Sequence, residues 1–497
     1  MLLATTAFSG TFYLIIRIIE NILIIYFTVY FLFDLFLFTY SVFYFRKLKK
    51  KSEQTYNYNE YSISVIIPAY NEEVSIVECI RMLLEVDYPD FELIVVNDGS
   101  KDNTHTRLMN GFSFYPCEAD LKNTIATQPI NSFFSNNTHD ILYINKVNGG
   151  KADAINAGIN YSTKKFICTI DADSILDSQA LKKVIIPMIN NPETFVSGGQ
   201  LAASNGVTLS HNKVISSSMP KNIWVLWQII EYIKSFMISR ISLSKLNSLL
   251  IMSGAFSIYK KEDLLQVGGF LTEQNNHPYI LSSIGKGNKT VCEDMEIVVR
   301  LWRFYRENKK KGKAKFIPDP VCWTEMPDSP TNLYKQRVRW HLGLSETMVI
   351  HRSILFEPKY KATGMLAMPY YLFFELLSPV IKLFTLFFII ITSVLGLINT
   401  GWIILLLISI ALTTAIITSS ITVFIEIWSK HHITANRDAL RYKSFKDWSW
   451  LLFLGIVGDF SFALFRTYAQ LVGIINFLRD KDEWNKFERK GVKTISI

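Results

Sequence analysis

Charge is what this sequence has little of: 19% of its 497 residues are Asp, Glu, Lys or Arg, against about a quarter in ordinary soluble domains. With 49% hydrophobic residues and a mean hydropathy of +0.20, the chain is neither disordered nor collagen-like, and a purely cytosolic protein is disfavoured. Cysteine is scarce as well. Cys79, Cys117, Cys168, Cys292 and Cys322 are widely spaced with no CxxC, which fits reduced thiols in a cytoplasmic domain. No GxGxxG follows the first strand pattern and no GxxxxGK[ST] occurs, so a nicotinamide dehydrogenase or a P-loop NTPase is disfavoured. Aromatic and basic residues do not interleave as in RNA-binding motifs. The net charge of +9 is met in part by cationic clusters beside the apolar runs, so no nucleic acid partner is called for.

The apolar residues gather at the two ends. Residues 11–45 hold only Arg17, Glu20 and Asp34 as charges, and 21–45 alone is long enough to cross a hydrocarbon core of about 30 Å. Residues 8–20 read as an interfacial lead-in and 1–51 as a retained membrane anchor, since nothing basic precedes the run as in a cleaved leader. Arg46, Lys47, Lys49, Lys50 and Lys51 then place the following chain in the cytoplasm. A second apolar region falls into blocks at 365–398, 402–428 and 448–478. The first two are joined by Asn399, Thr400 and Gly401, as expected of an outer turn. The third is cationic on both sides, with Lys430, Arg437, Arg441, Lys443 and Lys446 before it and Arg479, Lys481, Lys486, Arg489, Lys490 and Lys493 after. Both flanks therefore ask for the cytoplasm, and a pair of half-spans broken near Gly458 and Asp459 is expected. Glu375, Lys382, Asp459 and Arg466 inside these blocks need partners, a polar path, or a snorkelling position.

Between the ends, residues 52–350 suffice for one large domain. Strand patterns at 62–68, 91–97, 141–145 and 166–170 alternate with helical ones at 72–84, 102–109, 151–161 and 179–189, with a polar insertion at 110–140. Such alternation implies a mainly parallel sheet with right-handed crossovers, whose ligands gather at the carboxyl ends of the strands. The unusual residues stand there: Pro68-Ala69-Tyr70-Asn71-Glu72, Asn97-Asp98-Gly99-Ser100, and Asp171-Ala172-Asp173. Two carboxylates one residue apart at a strand end can share a hard divalent cation with phosphate oxygens, although a DxD can also be a turn that caps a helix. Lys151 opens a helix after Gly149 and Gly150, where a cation and free amides can receive a diphosphate.

Residues 250–259 read as a strand interrupted at Ser253 and Gly254, a mark of close ligand approach or of a bulge. Glu293-Asp294 precedes the helical run 295–305, as an acidic pair or simply as a helix cap. In Gln336-Arg337-Val338-Arg339-Trp340, helical spacing puts Gln336, Arg339 and Trp340 on one face, suited to sugar hydroxyls, phosphate and pyranose stacking, or to a membrane surface. Residues 220–240 fit an amphipathic helix on the membrane or in the core.

PAYNE, NDGS, GGKADAINAG, DAD, MSGAF, CED and QRVRW, in this order over about residues 60–350 with membrane segments beyond, resemble the processive membrane glycosyltransferases of family 2. Synthases of cellulose, hyaluronan, chitin oligosaccharide and poly-N-acetylglucosamine are among them. The resemblance implies a GT-A-like nucleotide-sugar-binding α/β domain at 52–350, between an anchor at 1–51 and, at 351–497, interfacial helices, transmembrane segments and a basic cytoplasmic tail. It implies donor contacts from Ala69, Tyr70 and Glu72, a nucleobase contact from Asp98, diphosphate contacts from Lys151 and Arg339, and nucleotide and metal contacts from Asp171 and Asp173 with Mg2+ or Mn2+. Ser253, Gly254, Gln336 and Trp340 would border the acceptor, and Asp294 would be the general base, although Cys292 stands where the family has threonine. The expected activity is inverting transfer from a UDP-sugar, UDP-N-acetylglucosamine or UDP-glucose, onto a β-linked polysaccharide passed across the membrane. The partners would be the donor, a growing glycan or glycolipid acceptor, the lipid bilayer and accessory secretion proteins, in a multi-pass protein of the plasma (inner) membrane. A non-processive transferase acting on a lipid or short acceptor, and an inactive nucleotide-sugar-binding scaffold, are the competing readings.

Overall fold

The computed structural model describes residues 10–47, 56–136, 138–210, 212–397 and 444–481, with single positions between 401 and 424. Most of the block at 402–428 and of its following basic loop, Lys49 to Lys51, and the tail beyond 481 lie outside the described residues.

A ten-stranded sheet forms the core, in the order β3-β4-β5-β2-β1-β6-β11-β8-β12-β7. Its centre is parallel: β1 (Ile63–Ala69) lies between β2 (Phe91–Asp98) and β6 (Phe166–Ile170), and β2 pairs with β5 (Ile141–Lys146). These strands read as continuous apolar runs because helices cover both faces, and every residue of β6 is buried. Helices α2 (Ile76–Leu84), α3 (Thr104–Phe112), α4 (Lys151–Tyr161) and α5 (Ala180–Asn190) follow the strands as expected.

Away from the centre the sheet is mixed rather than mainly parallel. The polar insertion is not a loop alone, since β3 (Tyr115–Cys117) and β4 (Ile130–Ser135) form a hairpin that extends the edge antiparallel to β5. On the other side, β8 (Thr194–Ala203) and β12 (Lys313–Thr324) are parallel to each other, β7 (Ile175–Leu176) pairs antiparallel to β12, and β9 (Val207–Ser210) and β10 (Lys213–Ser217) form a separate ribbon. The expected strand at 250–259 is shorter: β11 (Phe256–Lys260) runs antiparallel between β6 and β8, and residues 250–255 form a loop. Gly254 and Ser253 lie in that loop because the backbone there turns to meet side chains of the cleft.

Helix α6 (Ile223–Lys234) continues through a π-helical turn, Ser235–Arg240, into α7 (Ile241–Lys245). Short α8 (Lys261–Gln266) and α9 (Pro278–Ser283) lead to α10 (Glu293–Glu307) and α11 (Pro330–Ile350). The first helix, α1 (Gly10–Lys47), is unbroken, so residues 10–20 continue the same helix as the apolar run; Arg17 and Glu20 pair on its surface at 2.8 Å. It packs on a bent pair of helices, Thr363–Leu376 and Ser378–Val394, which meet at 46°. Tyr30 stacks on Phe374 and Phe33 on Tyr370 across that contact. Among the described residues, Gly10–Arg46 and Ser461–Leu478 are each long and apolar enough to cross a membrane, and the bent pair would make a third span.

The block at 448–478 corrects the expected half-spans. Phe445–Leu478 is one helix of 34 residues, capped by a reciprocal Ser444 and Asp447 box. Gly458 does not break it: the missing side chain admits Trp227, whose ring atoms would stand 2.8 Å from a Cβ there. The indole of Trp227 also donates to the Leu454 carbonyl at 3.2 Å. Of the ionisable residues in the apolar blocks, Arg466 pairs with Glu231 at 3.2 Å, Glu375 accepts from the Tyr370 hydroxyl at 3.1 Å, and Lys382 stands 6.0 Å from the Tyr30 ring centre.

One buried network ties α10 to the end of α11. Glu296 accepts from Arg300 at 2.8 Å and lies 3.2 Å from the His351 ring, all three side chains fully buried, and Arg300 also donates to the Val267 carbonyl. Burial works against the ionised Glu296 carboxyl, yet Arg300 and His351 hold it below its ordinary range. Removing one member of a buried pair strands the other, at a cost of about 3–5 kcal/mol. Glu296→Gln is therefore expected to lower the thermal midpoint of the full chain in detergent clearly. Replacing both Glu296 and Arg300 with Met should cost less than either single loss; an equal or larger cost would place the stabilisation elsewhere.

Candidate active site

The carboxyl ends of β1, β2, β5 and β6 open on one side of the sheet, and the loops that follow them are laced together. After β1, the Asn71 amide donates to the Ser100 hydroxyl at 2.9 Å and the Glu72 amide to Thr104 at 2.8 Å, while the Asn71 side chain accepts from the Lys101 amide. The segment with Ala69, Tyr70 and Glu72 is thus held against the segment after Asp98. Asn71 has a positive φ of 54°, which lets the chain turn out of the strand.

Asp98 itself faces inward. Its carboxylate accepts from Lys146 at 2.7 Å, Gly149 N at 3.0 Å, Gly150 N at 2.8 Å and Asn148 at 3.1 Å, and the side chain is 3% exposed. Lys146 also pairs with Asp153 on α4 at 2.6 Å. In this geometry Asp98 fixes the two-glycine loop, where the nucleobase contact implied by the resemblance needs a carboxylate turned to the cleft. Gly150, at φ 88°, supplies a backbone turn that other residues resist. The turn delivers Lys151 at the first position of α4.

The Lys151 ammonium lies between two acids, 2.7 Å from Asp171 at the end of β6 and 2.9 Å from Glu293 at the start of α10. It also donates to the Gly254 carbonyl at 3.3 Å. The Gly254 amide donates in turn to Asp294 at 2.9 Å. A Cβ at Gly254 would stand 3.0 Å from the Lys151 nitrogen and 3.2 Å from the Asp294 carboxylate, so only glycine leaves these groups their places. Ser253, in the same loop, is nearly buried.

These contacts set the charge states. Burial alone would lower the Lys151 pKa, but Asp171 and Glu293 overcome it and hold the ammonium firmly protonated. Burial and the adjacent Glu293 push the Asp294 carboxyl up to about 6, against the pull of Lys151, Arg240 and the Gly254 amide. A carboxylate with that affinity for protons is suited to general base work near neutrality.

Helix α11 closes the site. The Cys292 thiol lies 3.9 Å from the Trp340 carbonyl, Gly343 packs on Cys292, and the Val291 amide donates to Glu346 at 2.9 Å. Trp340, 37% exposed, stacks on Tyr232 at 6.4 Å between ring centres and carries the Arg337 guanidinium over its face at 4.2 Å. Arg337 pairs with Glu231, which also holds Arg466. Arg339 and Gln336 lie on the same helix, and the Gln336 side-chain oxygen is buried with no hydrogen-bond partner among the described residues.

Asp171 and Asp173 follow β6, with Asp173 nearly buried. Two carboxylates match the donor set that magnesium or manganese takes when substrate phosphates complete the shell. No group of three or more His, Cys, Asp or Glu poised for a metal occurs among the described residues. Glu293 was read as one of an acidic pair, whereas sequence reasoning passed over Glu231 and Arg240, which gave no local signal within an apolar segment.

Residues 64–110 match the family profile Glycosyl transferase family 2, and residues 132–343 match Glycosyltransferase like family 2. The domain that holds this site is therefore a family 2 glycosyltransferase domain. Curated relatives are named poly-beta-1,6-N-acetyl-D-glucosamine synthase: the protein of Staphylococcus epidermidis is 28% identical over 288 residues, and that of Staphylococcus aureus strain COL is 27% identical. Each alignment covers 58% of this chain and 55% of the relative, so the matched part spans little more than half of those proteins. Among solved structures, a mannosyltransferase of Pyrobaculum calidifontis in complex with GDP-Man and Mn2+ shares the fold, with a TM-score of 0.54 at 16% identity, over 93% of this chain and 99% of that one.

The inward-facing Asp98 carries a prediction. Asp98→Asn leaves Lys146 buried without its full charge complement and loosens the Gly149 and Gly150 turn, so the unfolding midpoint of the full chain in detergent should fall. An unchanged midpoint would mean that the carboxylate is not needed to hold the turn.

Proposed function

We propose that the chain transfers a sugar from a UDP-sugar to a growing β-linked glycan, with inversion at the anomeric carbon. The observation that carries this reading is the meeting of Lys151, Asp171, Glu293 and Asp294 around the Gly254 backbone. UDP-N-acetylglucosamine is the favoured donor, supported by the names of the curated relatives.

In the proposed step, Asp294 takes the proton of an acceptor hydroxyl as that oxygen attacks the anomeric carbon from the face opposite UDP. The new carbon–oxygen bond forms as the bond to the β-phosphate breaks, and the electron pair leaves with UDP. Lys151 and Arg339 offset the negative charge on the departing diphosphate. Asp171 and Asp173 would hold a divalent cation, which supplies further positive charge to the diphosphate when bound. Ala69, Tyr70 and Glu72 would frame the nucleoside, with Asp98 acting through the loop it holds. Ser253, Gly254, Gln336 and Trp340 would border the acceptor, the indole offering a face for a pyranose ring.

Processive extension and passage of the product across the membrane are part of the proposal. They are supported by the exposed Trp340 beside Tyr232 and by the apolar helices that adjoin α11. The catalytic domain, residues 52–350, would lie on the cytoplasmic side of a plasma membrane protein with several spans. Accessory secretion proteins remain part of the same proposal.

Because the base must be ionised, kcat/KM for transfer from UDP-N-acetylglucosamine should fall below about pH 6, the value to which Asp294 is pushed. Asp294→Asn should remove about 10²–10⁴ of the rate with UDP binding retained. Radiolabelled transfer by the purified protein across pH 5–9 tests both. Undiminished transfer by Asp294→Asn would reject the base assignment, and absence of transfer from any UDP-sugar by the wild type would reject the function.

A further inference from the structure

The helix Phe445–Leu478 is long enough to cross a bilayer and at Gly455 touches Ser419 of the apolar block 402–428, yet the catalytic-domain helices α6 and α11 that also line it do not fit a crossing. Its C-terminal half, Ser461–Leu478, lies beside α11, the helix that bears Gln336, Arg339 and Trp340. Tyr468 stacks on Tyr334 at 5.8 Å between ring centres, and Gly473 packs on Val338 and His341, where a Cβ would stand 2.8 Å from the Val338 carbonyl. Successive residues of one helix meet successive residues of the other, so the two run side by side in the same direction. Helix α11 carries Lys335, Arg337, Arg339 and Glu346 and is tied to the Asp294 turn through Cys292 and Val291. Such a helix is costly to place in the middle of the hydrocarbon. Its neighbour, packed alongside, shares its depth.

Charge on the two flanks agrees. Five Lys or Arg residues lie in 429–447 and six in 479–497, and short cationic segments stay on the cytoplasmic side. With an unbroken helix between them, half-spans cannot reconcile the flanks, whereas a helix lying flat can. Arg466, in the middle, pairs with Glu231 of the catalytic domain at 3.2 Å.

The exposed side chains have one further pattern. Trp450, Phe453, Leu464, Tyr468, Ile475 and Leu478 are the large apolar residues most exposed beyond the first residue of the helix. At 100° per residue they fall within an arc of about 80°. The buried residues Leu451, Leu454, Gly455, Gly458, Phe462, Ala469 and Gly473 lie on another face, against α6, α11 and Ser419.

We propose that Phe445–Leu478 lies in the plane of the membrane on the side of the catalytic domain, with this stripe seated among lipid headgroups and upper acyl chains. Cationic flanks complement an anionic leaflet, and apolar residues enter its surface by about 5–10 Å. The helix then acts as a floor that fixes α11, and with it Trp340, at the membrane surface. The inference does not depend on the donor or on the reaction.

Spin labels at Phe453→Cys, Leu464→Cys and Ile475→Cys, each in the full chain in vesicles containing anionic lipid, test the orientation. Collision with oxygen and with a water-soluble nickel chelate gives the depth of each label. A flat helix predicts three similar, shallow depths, whereas a crossing helix spreads them over about 33 Å at 1.5 Å per residue. Labels shielded from both reagents would mean that a second copy or another protein covers the stripe, and would overturn the proposal. Lys446→Cys and Lys481→Cys, labelled with an impermeant maleimide and read by peptide mass spectrometry, provide a second measurement. Both should be labelled from the same side as the half-buried Cys117; labelling from opposite sides would establish a crossing.

Discussion

The ammonium of Lys151 is the contact on which the rest of the site depends. It draws the first turn of α4, the end of β6 and the start of α10 to within 2.9 Å of one charge, although these segments are far apart in the chain. Without it, Asp171, Glu293 and Asp294 would be three acids in a shared, poorly solvated space, and mutual repulsion would spread them. The sheet supplies the strand ends, but one cation turns them into a single cleft. The same arrangement explains why a glycine is needed at 254: its amide and carbonyl link Asp294 and Lys151, and the absent side chain leaves room for both.

A second layer of charge holds Lys151 in place. Asp98, Lys146 and Asp153 form a buried chain behind the Gly149 and Gly150 turn, with nitrogen to oxygen distances of 2.7 and 2.6 Å. Cleft chemistry and loop rigidity thus use the same kind of contact at different depths. Farther out, Glu231 reaches Arg337 on α11 and Arg466 on the long C-terminal helix, so one carboxylate ties these two helices together.

The central strands and their helices were legible because continuous apolar runs and 3.6-residue spacing are local signals. Lys151 and Asp171 stood out because their types and positions after strand patterns limit what they can do, whereas Asp294, at the start of a helix, was singled out as the base by the family resemblance alone. The remainder depended on contacts between distant segments. Residues 250–255 look like strand by composition, but the backbone of Gly254 is taken by Asp294 and Lys151 instead of a neighbouring strand. Gly458 looks like a helix break, and it is a slot for Trp227. Asp98 has the surroundings of a ligand contact in sequence, and the buried Lys146 with the Asn148 side chain and the Gly149 and Gly150 amides turns it inward. The edge hairpin at β3 and β4 was hidden by the polar residues around it, since an edge strand needs little apolar content.

The fastening of α11 has a mechanical consequence. The helix is held by Glu231 through Arg337, by Cys292 through Gly343, by Val291 through Glu346, and at its end by the fully buried Glu296 and Arg300 network through His351. Sliding it by even one residue would break several of these contacts at once, including a charge cluster with no access to water. Under the proposed function, a polymer moving past Trp340 would therefore not be ratcheted by this helix. Its advance would fall to rotation of side chains such as Trp340 and to diffusion of the glycan itself along a stationary rail.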